Sequence, residues 1–188
     1  MLDTSSVFQK YESLRPRLPD FKCPNATIKI NSILEIASKI DVFVFDAFGV
    51  LNVGENLIPG ADLAIQALRD LDKKVRVLTN AASYDKAGAK KKFSDLGFCF
   101  ADYEIVTSRD VAVQNIFSGV WGVITAGADN LKDLKTEHII LTDSESDFDK
   151  VDGFLFLSTS DWNSQKQLFL KNSILKNDRP VIIANADL

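Results

Sequence analysis

A run of four apolar residues, Val42–Phe45, ends abruptly at a carboxylate, Asp46. Short runs without a polar residue are typical of parallel strands that helices cover on both faces. The run therefore predicts a central strand of an α/β sheet, with Asp46 at its carboxyl end. Ligands of open α/β sheets bind at that end of the strands.

The rest of the chain alternates short apolar runs with segments of helical periodicity. This alternation predicts βαβ units and mainly parallel sheets. The predicted strands are Val42–Phe45, Val75–Leu78, Ile105–Val106, Val120–Thr125, Ile139–Leu141, Phe154–Leu157 and Val181–Ala184. The predicted helices cover about 33–39, 61–71, 84–96, 110–117, 130–134 and 163–176. The acidic and polar segment Thr142–Lys150 is predicted to be a linker loop.

Residues 1–30 differ from the rest of the chain. They contain three of the five prolines, Pro16, Pro19 and Pro24, and no sustained periodicity. We therefore expect an irregular N-terminal extension.

Charge and rare residues narrow the possible functions. The net charge of −4 argues against nucleic acid as a partner, and the basic run Lys90–Lys92 is expected to be a solvated helix face. No stretch has the roughly 20 apolar residues of a membrane span, which favours a cytoplasmic protein without a membrane partner.

Cys23 and Cys99 are expected to be ordinary thiols, with a structural pair as the alternative. A lone histidine, His138, excludes a multi-histidine metal site within this chain.

The polar residues at two strand ends are candidates for a catalytic or anion-binding site. Asp46 is followed by a glycine-containing turn whose N–H groups can point at an anion. Thr79 and Asn80 follow the next long strand, and a hydroxyl and an amide can donate to a phosphoryl oxygen. Each feature alone is also common in caps and turns. Together, in this order and with one helix between them, they are more specific.

These motifs resemble the haloacid dehalogenase superfamily, in particular its type IIA branch of NagD-like and p-nitrophenyl phosphatase-like enzymes. The matching motifs are DAFGVLNVG at 46–54, PGA at 59–61, LTN at 78–80 and, in the second half, VDGFLFLSTSDW at 151–162. The resemblance implies a Rossmann-like parallel-sheet core with an α/β cap. The first part of the core would cover 31–107, and the cap domain 108–188.

The resemblance also implies an Mg²⁺-dependent phosphatase that acts on a small phosphorylated metabolite, such as a sugar phosphate or a nucleotide-like compound. Asp46 would be the nucleophile that forms an aspartyl-phosphate. Its carboxylate and the backbone carbonyl of Phe48 would bind Mg²⁺. Ala47, Phe48 and Thr79 would contact the phosphoryl group, and Asn80 would help to fix the Asp46 side chain.

The cap would select the substrate. The segment Ser158–Trp162 is expected to overhang the site, with Asp161 and Trp162 as substrate contacts. The alternative is a polar helix N-terminus with an anchoring aromatic residue. Family members also suggest a homodimer formed through the cap.

Phe48 departs from the family pattern, which has a second Asp there to protonate the leaving alcohol. Phenylalanine cannot transfer a proton, and its simplest role is packing under the segment that follows. General acid–base catalysis contributes typically ~10²–10⁴ in rate, so impaired turnover is expected unless another group substitutes. An aromatic-containing type IIA subset, with Asp-x-Trp-Gly-Val-Leu-His, matches best.

Two other interpretations of Phe48 remain open. The first is a catalytically degenerate fold used as a binding or regulatory module. The second is a haloacid dehalogenase, which also carries an aromatic residue there. That reaction predicts a basic residue soon after the motif, and no Arg or Lys lies between Val50 and Leu68.

The family completes its site after the cap, with a lysine and further metal-binding aspartates. Here the chain ends at Leu188. We therefore expect a C-terminally truncated fragment of a longer protein, with a naturally short chain as the alternative. The strand Val42–Phe45 would then have an unpaired edge.

Overall fold

The computed structural model describes residues 3–20, 22, 26–126 and 131–185. Contacts between residues divide the chain into two units, Met1–Asn31 and Ser32–Leu188. The second unit contains all the β-strands of the described residues.

The first unit contains a helix, α1 (Thr4–Leu14), followed by the 3-10 turn Arg15–Arg17. The prediction of an irregular extension is therefore wrong for these residues. The Asp3 side chain caps the helix, accepting a hydrogen bond of 2.7 Å from the N–H of Ser6. The prolines, which suggested irregularity, all follow the helix and do not interrupt it.

The second unit begins with a 3-10 helix, Ile33–Lys39, and continues as alternating strands and helices. Its strands are β1 (Val42–Phe45), β2 (Asn52–Val53), β3 (Asn56–Leu57), β4 (Lys74–Thr79), β5 (Ile105–Thr107), β6 (Trp121–Ile124), β7 (His138–Ile140), β8 (Gly153–Phe156) and β9 (Val181–Ile183). Its helices are α2 (Ala61–Asp70), α3 (Lys86–Asp95), α4 (Ser108–Gln114), α5 (Glu145–Phe148) and α6 (Ser164–Lys176). The α/β fold with parallel sheets is confirmed. No helix of the described residues is both long and apolar enough to cross a membrane.

The first sheet has the order β1-β4-β5, with all its strands parallel. Phe45 lies opposite Val77, and Thr79 lies opposite Thr107. The three strands therefore end at the same edge of the sheet. A short antiparallel hairpin, β2–β3, follows β1.

Strand β1 is covered on one face only in the described part of the chain. Phe43 is buried in a cluster with Leu68 of α2 and Phe93 of α3. By contrast, Val42 and Val44 are 44% and 59% exposed. Burial on both faces was thus a wrong prediction, because the helices described here pack on one side of the sheet. Within the described residues β1 pairs with β4 alone and lies at the edge of the sheet, so the predicted central position was also wrong for this chain.

The second sheet has the order β7-β6-β8-β9, again with all its strands parallel. The segment Thr142–Lys150, predicted to be a linker loop, contains α5. Its Phe148 is fully buried against Phe154 and Phe169, so this one aromatic residue fixes the acidic segment to the sheet. The helix predicted over 130–134 is a turn in its described residues, 131–134. Residue 130 lies outside the described residues.

A buried ion pair connects α4 to the segment between β6 and β7. The Arg109 side chain is 1% exposed, and its guanidinium donates two hydrogen bonds to Asp133, of 2.6 and 2.7 Å. A third bond, of 3.3 Å, reaches the carbonyl oxygen of Ala82 in the segment after β4. One side chain thus links both sheets of the second unit.

Replacing Asp133 by Ala is expected to destabilise the protein by about 2–4 kcal/mol, because it removes the carboxylate that accepts two hydrogen bonds from the buried Arg109 guanidinium. Chemical denaturation measures the loss. The control is Asp95→Ala, which breaks the exposed Lys91–Asp95 pair and should cost at most about 1 kcal/mol. Equal losses in the two variants would contradict a structural role for the buried pair.

Candidate functional site

A small cavity of about 170 Å³ lies at the carboxyl ends of β1, β4 and β5. Ala47 and Phe48 line it from the turn after β1, and Thr79 and Asn80 line it from the end of β4. The structure therefore brings four of the predicted site residues together. Asp46 directly precedes the two lining residues of the first turn.

A larger depression, of about 750 Å³, is lined by residues from the end of α4 and the segment before β6, including Phe117 and Val120. None of the predicted site residues lines it. We place the candidate site in the smaller cavity because ligands of parallel α/β sheets bind at the carboxyl ends of the strands.

The turn after β1 is held by its own backbone. The Ala47 carbonyl accepts hydrogen bonds from the N–H groups of Leu51, at 2.8 Å, and Asn52, at 3.1 Å. Gly49 has a φ of +80°, which residues other than glycine rarely adopt. Asp46 is exposed, and its Oδ1 accepts a 2.7 Å hydrogen bond from the Ala47 N–H. The turn thus presents a solvent-accessible carboxylate at a fixed position.

Phe48 lines the cavity but is 67% exposed. The prediction that it packs under the following segment is therefore wrong. Its side chain adds apolar surface at the mouth of the cavity and provides no proton. A polar residue could replace it with little loss of packing.

Side-chain hydrogen bonds shape the ends of β4 and β5, and one of them connects the two. Thr79 is buried, and its Oγ1 accepts a 3.2 Å bond from the Ala81 N–H. The Ser108 hydroxyl donates to the Asn80 carbonyl at 2.9 Å. Thr107 caps α4, accepting a 3.0 Å bond from the N–H of Asp110. These bonds give the Thr79–Asn80 segment a defined shape beside the first turn.

The sequence did not identify two further lining residues, Asn52 and Lys92. Asn52 is 2% exposed; its Nδ2 donates to the Gly54 carbonyl, and its Oδ1 has no partner among the described residues. Lys92 shares a face of α3 with the buried residue Ala89, at i−3, and directly precedes the buried Phe93. That helical spacing was the available signal that Lys92 faces inward.

Asp161 and Trp162 are not among the described residues that line the cavity. The Trp162 ring packs edge-on against Phe156 at 4.8 Å, and its indole N–H donates to Gln167 at 3.1 Å. The Asp161 carbonyl accepts a 2.9 Å bond from Lys166. In this structure the two residues precede Asn163, the N-cap of α6, and Trp162 anchors this segment to Phe156; a substrate contact of Asp161 and Trp162 stays a prediction.

The donors at the turn fit a magnesium ion only in part. Mg²⁺ usually takes one or two carboxylates together with substrate phosphates and keeps several waters. The exposed Asp46 carboxylate and the Phe48 carbonyl match that minimal set. Among the described residues, no group of three or more His, Cys, Asp or Glu side chains could hold a metal. These donors therefore suit an ion shared with a bound phosphate and are too few for tight binding without one.

The chain is similar to known proteins in sequence and in fold. A family model described as haloacid dehalogenase-like hydrolase matches residues 43–138, half of the chain. Human glycerol-3-phosphate phosphatase is 38% identical over 63 residues, which are 34% of this chain and 20% of that protein. The chain thus matches a minor part of this curated relative.

Solved structures share the fold. A possible sugar phosphatase of Cytophaga hutchinsonii has a TM-score of 0.69 and 20% identity, over 82% of this chain and 58% of that one. NagD of E. coli K-12 has a TM-score of 0.58 and 20% identity, over 79% and 58%. A glycerol phosphate phosphatase of Mycobacterium tuberculosis in complex with magnesium has a TM-score of 0.59 and 19% identity, over 81% and 46%. At these identities the similarity is evidence for a shared fold alone.

Proposed function

The chain belongs to the haloacid dehalogenase-like hydrolase family, and on that premise we propose that it hydrolyses a small phosphomonoester through a covalent intermediate on Asp46. The observation that carries this proposal is the shared cavity. It joins the turn after Asp46 to Thr79 and Asn80 at the ends of neighbouring parallel strands.

In the first step a carboxylate oxygen of Asp46 forms a bond to phosphorus while the bond from phosphorus to the ester oxygen breaks. The leaving alkoxide takes a proton from solvent, because Phe48 has none to give. Thr79 and the backbone N–H of Phe48 donate to the equatorial phosphoryl oxygens, where charge accumulates in the transition state, while the N–H groups of Gly49 and Val50 are bonded within the turn. Asn80 keeps the Asp46 side chain oriented for attack.

In the second step water attacks phosphorus, and the acyl phosphate bond breaks. This step releases inorganic phosphate and regenerates the Asp46 carboxylate. The attacking water loses its proton to solvent, again without help from residue 48. Magnesium, held by the Asp46 carboxylate and the Phe48 carbonyl, would supply positive charge that offsets the charge on the phosphoryl oxygens.

The size of the cavity favours a small substrate. Its 170 Å³ lies below the ~300–1,000 Å³ typical of pockets for drug-sized ligands. A curated relative is named as a glycerol-3-phosphate phosphatase, and a protein of similar fold is described as a possible sugar phosphatase. We therefore place short phosphorylated polyols and sugars ahead of nucleotides.

Phosphate release from a panel of phosphometabolites tests this function. We expect slow, saturable release from small phosphomonoesters that requires Mg²⁺ and stops when a chelator removes it. Equal release with and without the chelator would contradict the proposed role of the metal. A panel without any release would contradict the proposed hydrolysis.

A second candidate function is a phosphate-binding or regulatory module without turnover. Phe48 favours it, since the residue at this position provides no acid or base and is exposed to solvent. The module predicts that inorganic phosphate binds while the panel shows no hydrolysis. Steady-state hydrolysis that requires Asp46 would exclude it.

A further inference from the structure

The three consecutive lysines of α3 have different surroundings. Lys90 and Lys91 form surface pairs with Asp102, at 2.5 Å, and Asp95, at 2.6 Å, and are 52% and 75% exposed. The Lys92 side chain is only 24% exposed. The prediction of a solvated helix face is therefore wrong for Lys92, which turns toward the cavity.

Lys92 is the one charged side chain among the described residues that line the cavity. The other lining groups are apolar side chains, hydroxyls and amides. An ammonium group with limited access to water is stable only beside a counter-charge. Lys92 is therefore the one positive charge that these lining residues offer to an anion in the cavity.

The present partners of Lys92 are weak. Its Nζ lies 3.3 Å from a carboxylate oxygen of Glu55, which is on the turn of the β2–β3 hairpin and is 75% exposed. It also lies 5.7 Å from the centre of the Tyr84 ring. An ion pair with such an exposed partner contributes little to stability, and a cation over a tyrosine ring contributes only a modest interaction energy. Glu55 is thus a counter-ion that a better anion can replace.

The same cavity contains an acceptor without a donor. Asn52 is 98% buried, and its Oδ1 accepts no hydrogen bond within the described chain. Because this oxygen is itself buried, a ligand in the cavity does not reach it without a shift of the turn. The charge of Lys92 is therefore what selects the ligand, and a phosphate provides the matching negative charge.

We infer that Lys92 is the cation that binds the phosphoryl oxygens in this cavity, and that it exchanges Glu55 for the phosphate when the ligand enters. The inference rests on the proposed function, because it assigns a specificity-determining residue to the same site. It adds a coupling to the hairpin, since phosphate binding releases Glu55 and with it one contact between β2–β3 and α3.

Titration with inorganic phosphate tests this assignment without requiring turnover. Replacing Lys92 by Met should weaken phosphate binding at least about 10-fold, since hydrogen bonds to charged groups are among the stronger ones. Lys92→Arg should retain binding, and Lys91→Met, the matched control on the same helix, should bind like the wild type. Glu55→Gln should tighten binding about two- to five-fold, because it removes the competing carboxylate.

Circular dichroism establishes that each variant is folded. The inference is overturned if Lys92→Met binds phosphate like the wild type, if the wild type binds none, or if Glu55→Gln weakens binding. Phosphate binding that depends on Lys92, without hydrolysis of any panel compound, would contradict the proposed function and support the inference. Hydrolysis that does not need Lys92 would support the proposed function and contradict the inference.

Discussion

Replacing Asp46 by Asn is expected to lower the rate of phosphate release by about 10³-fold or more, which is the scale of loss when an enzyme loses its nucleophile. The amide keeps the shape of the side chain and its position at the end of β1. It is a poor nucleophile and carries no negative charge for a metal ion. The loss should therefore appear in kcat, with the fold and its stability unchanged.

Asp41→Asn is the matched control, because Asp41 is an exposed aspartate just before the other end of the same strand. It should hydrolyse phosphomonoesters like the wild type. Activity that survives in Asp46→Asn would remove Asp46 from the mechanism.

Replacing Phe48 by Asp has the second largest expected effect, a gain of about 10²–10⁴ in the rate of hydrolysis. The new carboxyl group would protonate the leaving alkoxide and then take the proton of the attacking water. Because Phe48 is 67% exposed, its removal creates no buried cavity and should cost little stability. Steady-state kinetics on the best compound of the panel measures the gain.

Phe48→Asn separates proton transfer from mere access to the cavity. Asparagine has the size of aspartate but does not titrate, so its rate should stay near that of the wild type. A similar gain in both variants would show that the bulk of Phe48, rather than the missing proton, limits the reaction.

The strands and the strand-end residues could be predicted because they depend on local patterns. The run Val42–Phe45 is a strand in the structure, and Ala47, Phe48, Thr79 and Asn80 line one cavity. Parallel strands bring their carboxyl ends to one edge, so the order of the motifs was sufficient to place these residues together. Their roles in binding and catalysis stay predictions.

What the sequence missed depends on long-range packing. Burial on both faces of β1 requires neighbours that the apolar run alone does not specify. Lys92 was assigned to a solvated face because a basic run in a helical pattern is usually solvated, although the spacing from Ala89 pointed inward. Asn52 enters the cavity only because the turn after Asp46 folds back on the Ala47 carbonyl. The local signal for α1 was its N-cap, Asp3, and the prolines begin only after the helix has ended.

The central claim is that Asp46 accepts the phosphoryl group, and trapping the covalent intermediate tests it most directly. The chain would be mixed with a labelled phosphomonoester and Mg²⁺, quenched in acid within one turnover, and digested for mass spectrometry. We expect phosphate on the peptide that contains Asp46, removed by hydroxylamine as an acyl phosphate should be, and no label in Asp46→Asn. Substrate turnover with no label on Asp46, or with label on another residue, would contradict the account.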